Sequence, residues 1–156
     1  MMYRELRINM KSNYSWHMRF SLIIVLLCSV FSAQGQENWQ KLTVVANQIG
    51  TESLTKDQVS KIFKGNLSRW KNDESVTLVM PSSKHEGCEI MAMTVFRRDM
   101  KYVKKYWLNL VFQGRSNPPV YLDSNEEILN YVSKHSGSIG ILVNSNNNSS
   151  LKITIL

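Results

Sequence analysis

The chain has 156 residues with 43% hydrophobic side chains and a formal net charge of +7, enough apolar material for one domain with its own core. Removing residues 1–35, argued below to be an export segment, takes away four cations and one acid and leaves +4. That excess is too modest for a protein that grips nucleic acid, so no nucleic-acid partner is expected.

The first element in chain order is the apolar run 20–31 (FSLIIVLLCSVF), with Arg19 before it and Ala33-Gln34-Gly35 after it. A short apolar run followed by small residues has the form of a secretory signal peptide cleaved near Gly35, and it is shorter than the about 20 residues a membrane-spanning helix needs. Residues 1–35 are therefore read as the signal, with Met18 as the expected initiator, residues 36–156 as one domain, and the location as periplasmic or secreted. Leu26 and Leu27 precede Cys28 where a lipoprotein signal has small residues, so lipid attachment is not expected. Only Cys88 remains after processing, which excludes an intramolecular disulfide.

Residues 41–46 (KLTVVA) are β-branched and read as a buried strand, followed by a loop over 47–53. Thr55 with Gln58 forms a capping box for a short helix whose stripe is Val59, Ile62 and Phe63, and Gly65 stops it. Trp70 sits in a polar stretch and is expected to fold back onto the core. Residues 75–80 (SVTLVM) predict a second strand. From about Lys84 to Gly114 the period is helical but broken at Arg97-Arg98-Asp99, which predicts two helices, the second capped by Asp99 with apolar positions Val103, Trp107, Leu110 and Val111 at helical spacing. Asn117-Pro118-Pro119 forces an extended exit into the short strand 120–122. Ser124 and Glu127 form a second capping box for a helix through Ile128, Leu129 and Val132, and 138–143 (SIGILV) is a buried strand. A polar loop over 144–150 leads to 151–156, which alternates like an edge strand. Strands and helices alternating throughout predict an α/β fold, a mixed or parallel sheet flanked by helices.

Several stretches invite chemistry. In the turn 82–87 (SSKHEG) a helix N-terminus offers unpaired N–H donors, to which Ser82, Ser83 and Lys84 add hydroxyl and ammonium groups. The same residues also fit a plain helix cap, with Glu86 answering the dipole. His85 and Cys88, three apart, suit a thiol with its base, a pair of metal ligands with Glu89, or an inert buried thiol. A third group and an oxyanion hole for catalysis, or two more ligands for a closed zinc site, are missing from the pattern, so no enzymatic role, metal or cofactor is expected. Arg97, Arg98, Lys101, Lys104 and Lys105 form a cluster that reads as a solvated face or as a surface for acidic headgroups or an acidic partner. Trp70, Tyr106, Trp107 and Phe112 read as core. Asn47 and Ser138, at strand ends, are expected to face the same cleft edge as Ser82, where open α/β sheets gather ligands.

The run Leu54-Thr55-x-Asp57-Gln58-Val59-x-x-Ile62-Phe63-x-Gly65, followed by Trp70, resembles a segment of the periplasmic phosphate-binding proteins of ABC transporters. Tyr106-Trp107, Phe112-x-Gly114, Pro118-Pro119 and Gly137-Ser138-Ile139-Gly140 follow in the same order, so the resemblance covers roughly residues 42–143. It implies a type II periplasmic binding protein fold of which this chain is long enough for one lobe. It also implies export, a small oxyanion such as phosphate as ligand, and a membrane permease or sensor as partner. Where the family holds phosphate with an Arg and a Ser-Gly-Thr turn, this chain has Pro81-Ser82-Ser83-Lys84-His85-Glu86-Gly87. The arginine is missing and Glu86 adds a negative charge, which implies a weak, one-sided site. The ligand residues expected from the resemblance and the loop physics are Ser82, Ser83, Lys84, His85, Gly87, Asn47 and Ser138. The alternative is an interaction or sensory module, including a homodimer, that uses the surface a second lobe would cover.

Overall fold

The computed structural model describes residues 38–145 and 150–156. The expected signal peptide lies outside the described residues, as does the middle of the polar loop before the last strand. Among the described residues no helix is long and apolar enough to cross a membrane.

Six strands form one mixed sheet: β1 (Leu42–Ala46), β2 (Ser53–Leu54), β3 (Thr77–Pro81), β4 (Val120–Leu122), β5 (Ser138–Val143) and β6 (Lys152–Ile155), in the order β2-β6-β1-β5-β3-β4. β1 runs antiparallel to β5 and β6, whereas β3 is parallel to both β4 and β5. The central strands β1 and β5 are buried along their whole length. Both faces of the sheet are covered, which is why these strands read as continuous apolar runs and not as alternation.

Alternate residues divide the core between the two faces. Val44, Leu78, Met80, Ile139 and Ile141 pack with the helices α1 (Lys56–Phe63), α2 (Cys88–Met91, continuing through a π-helical turn at Ala92–Phe96) and α3 (Met100–Phe112). Val45, Val79 and Leu142 face α4 (Asn125–Lys134) through Ile128 and Val132. Full burial of each such side chain stabilises by about 1.5–3 kcal/mol. Gly140 lets α4 approach, because a Cβ there would stand 2.8 Å from Ile128 Cγ2.

The local signals are realised in detail. Thr55 and Gln58 make both bonds of the capping box, and Asp99 Oδ1 accepts the Tyr102 N–H at 2.7 Å. Trp70 folds into the core and its Nε1–H donates to the Gly137 carbonyl at 2.7 Å. The second box is only half formed: Ser124 Oγ accepts from Glu127 N, but the Glu127 carboxylate turns to Asp123 N.

Four expectations are corrected. β6 is not an edge strand, because the two-residue β2 pairs outside it in parallel, too short a strand to show a period. The second strand runs Thr77–Pro81, displaced from 75–80. The first of the two helices begins at Cys88 and not near Lys84, since His85 N bonds back to Ser82 O and Cys88 N to His85 O in successive tight turns. Phe112 is not core: it is 81% exposed, since it lies two residues past Leu110 and so on the far side of the helix from Val103, Trp107 and Leu110.

Candidate functional site

β3 ends at Pro81, and the chain leaves the sheet through Ser82, whose backbone N–H donates to the Leu122 carbonyl of β4 at 2.8 Å. Ser82 Oγ accepts from Lys84 N at 3.0 Å and donates to Asp123 Oδ1. Its hydroxyl thus closes a turn of the loop and does not cap a helix; the N-cap of α2 is Gly87, and no side chain caps it. Lys84 Nζ stands 3.5 Å from Asp123 Oδ2. From α3, 21 residues further along the chain, Lys104 brings its Nζ to 2.8 Å from Ser83 Oγ. Two sets of polar groups therefore lie at the carboxyl end of β3, Ser82 with Asp123 and Lys84 and Ser83 with Lys104, with Ser83, Lys84, Lys104 and Asp123 exposed. Asp123 and Lys104 escaped the sequence reading because neither is local to the loop; Asp123, directly after the strand 120–122, was the one with a positional signal.

The charges hold one another. The Ser82 hydroxyl bond lowers the Asp123 pKa below its ordinary value of 3.8, with Lys84 and His85 adding to the effect against a smaller opposing desolvation. Asp123 accepts from Ser82 and pairs with Lys84, so both donors already have a partner within the chain.

The rest of the loop is structural. His85 is buried; its Nδ1 accepts the Gly87 N–H at 2.9 Å, which places the ring proton on Nε2, 3.1 Å from Asn125 Oδ1. Asn125 in turn grips Val143 through both backbone groups, at 3.0 and 2.7 Å. Both ring nitrogens are committed, so His85 is not presented to a ligand and cannot serve Cys88 as a base. Cys88 is buried, with Sγ 4.0 Å from the Ser83 carbonyl oxygen. Glu89, the third member of the imagined metal set, instead accepts the Met100 N–H at 3.1 Å, and among the described residues no cluster suits a metal ion. Gly87 is needed for packing: a Cβ would lie 2.5 Å from Val143 Cβ and Cγ1.

Asn47 and Ser138 do not join the loop. Thr77 pairs with Ser138, so Ser138 marks the amino end of the strands whose carboxyl end carries Ser82. Asn47 follows Ala46, which pairs with Ile139 at that same amino end. Five residues of strand, about 16 Å at 3.3 Å each, separate the two sets. Ser138 is fully buried and donates to the His135 and Val132 carbonyls, and Asn47 Nδ2 donates to Ser133 O at 3.1 Å. The expectation of one shared cleft edge is thereby corrected: β1 enters antiparallel, which carries its end to the opposite rim.

No family model and no curated protein matches this sequence. Among solved structures the chain is similar to an ABC-type phosphate transport receptor from Vibrio cholerae (17% identity, TM-score 0.49) and to PstS from Borrelia burgdorferi (17%, 0.50). It is also similar to a phosphate ABC transporter substrate-binding protein from Clostridium perfringens solved with bound phosphate (13% identity, TM-score 0.53). In each case 74% of this chain is covered, against 46, 47 and 44% of the other, so the chain spans about half the length of these receptors. The Vibrio protein is described as a transport receptor and the Clostridium protein as a substrate-binding protein. The likeness is one of fold: a mixed six-stranded sheet with flanking helices, as in one lobe of a periplasmic binding protein.

Proposed function

We propose that the protein is an exported binding protein for a small oxyanion, phosphate first among the candidates, held weakly at the carboxyl end of β3 by Ser82, Ser83, Lys84 and Lys104. The observation that carries this reading is the bond from Lys104 to Ser83, which brings a second ammonium group to the serine loop from a helix distant in sequence. The position agrees with the rule that open α/β sheets bind ligands beyond the carboxyl ends of their strands. Phosphate enters because one structural neighbour was solved with it bound, and a membrane permease enters as partner because that neighbour is described as the substrate-binding protein of an ABC transporter. A one-sided site leaves the anion hydrated on its open face, and Asp123 competes for the same donors. The dissociation constant should therefore lie in the micromolar to millimolar range, about −8 to −4 kcal/mol.

Calorimetric titration with phosphate and with sulfate tests this. Lys104→Met and Lys84→Met should each weaken binding about tenfold, the loss of one charge-assisted hydrogen bond. Asp123→Asn should strengthen it several-fold by removing the internal competitor. No heat from either anion at millimolar concentration, in the parent and in Asp123→Asn alike, overturns the reading. A concentration-dependent dimer under the same conditions would return the interaction module in its place.

A further inference from the structure

Residues 38–156 carry their whole net charge on one segment. Between positions 97 and 115 lie Arg97, Arg98, Lys101, Lys104, Lys105 and Arg115 against the single acid Asp99, a net of +5, whereas the remainder holds nine residues of each sign. None of the three ion pairs among the described residues involves a cation of this stretch. α3 buries Met100, Val103, Trp107 and Leu110. At 100° per residue, Lys101, Lys104, Lys105, Leu108 and Phe112 fall together in a stripe about 100° wide on the opposite side. Leu108 is 56% and Phe112 81% exposed, so this outward face carries large apolar groups toward one end and cations toward the other, over about 16 Å of helix.

We propose that this outer face of α3 docks the protein on an anionic membrane surface, with Phe112 and Leu108 entering the headgroup–acyl boundary and the cations meeting lipid phosphates. Charge complementarity chooses the occupant. A second copy would press two strongly positive faces together, and an acidic protein would answer the cations without supplying an apolar bed for Phe112. A bilayer interface offers both within a few ångströms. The bidentate capacity of Arg97 and Arg98 is available there too; Arg98 already lies over the Tyr102 ring at 5.4 Å, a position on the flank of the same face.

The test uses the full chain and vesicles of phosphatidylcholine with and without phosphatidylglycerol. The N-terminal segment carries four cations of its own, so the readout is the part of the preference for anionic vesicles that substitutions in α3 remove, and its response to salt. The parent should prefer anionic vesicles about tenfold or more, and Lys101→Glu with Lys105→Glu should remove most of that preference, at about fivefold for each cation lost. A second measurement reads the site directly: in Phe112→Trp, the fluorescence difference from the parent should shift to the blue on anionic vesicles and be quenched by brominated acyl chains. An unshifted, unquenched Trp at 112 overturns the proposal, as does equal binding to both vesicle types. Salt-sensitive binding to polyglutamate with no vesicle response would assign the face to an acidic protein. A dimer lost on Phe112→Ser would assign it to a second copy, and either result overturns membrane docking.

Discussion

The two ends of the β3–β5 strand pair carry serines in similar sequence settings and use them in opposite ways. At the amino end Ser138 is fully buried, its hydroxyl spent on the His135 and Val132 carbonyls at the end of α4. At the carboxyl end Ser82 and Ser83 are held by Asp123 and Lys104, side chains that water or an anion can reach and replace. The difference teaches that a hydroxyl near a strand end stays open to exchange only where no backbone carbonyl has claimed it. Burial makes the first arrangement permanent, since a lost hydrogen bond there strands a polar group out of water. Exposure makes the second exchangeable.

The comparison breaks most visibly at Gly87. Replacing it by Ala drives a methyl group into Val143, and overpacking of this kind should cost about 1–3 kcal/mol, read as a lower denaturation midpoint. The loop would then be detached from β5 and the anion heat should fall with it. Ser138→Ala should cost about 1 kcal/mol and leave the sulfate affinity unchanged; a change in affinity would mean that the two ends communicate. The smallest effect should appear at Asp123. Its pKa is depressed in the folded state, chiefly by the Ser82 hydroxyl, so its contribution to stability is present above the unfolded value and is lost as pH falls through the folded one. Ser82→Ala should therefore raise the Asp123 carboxyl pKa toward its ordinary value in a carbon-detected NMR titration. An unchanged titration would show that the hydroxyl does not hold the carboxylate.

Much of this architecture was legible because it is local. A capping box spans four residues, and a buried stripe repeats within two turns, so Thr55, Asp99, Val59 and Ile62 announced their roles without reference to the rest of the chain. The same locality misled at Phe112, where an aromatic beside an apolar stripe was counted into it although the helical angle places it opposite. β2 was missed because two residues carry no period.

The site shows the same division. Ser82 to Lys84 could be picked out because strand ends and turns are read from neighbouring residues. Lys104 could not, because it arrives from another element, Asp123 offered only its place after a strand, and the structural role of His85 shows only with Asn125 beside it. The amino-acid order by itself determined most of the elements, the caps at Thr55, Asp99 and Ser124, the α/β class and the positive charge of the 97–115 stretch, since these depend on side chains a few positions apart. Only the tertiary structure decided which ends of the strands lie together, because an antiparallel β1 beside a parallel β3–β5 pair is a choice of long-range hydrogen bonding that no short window records.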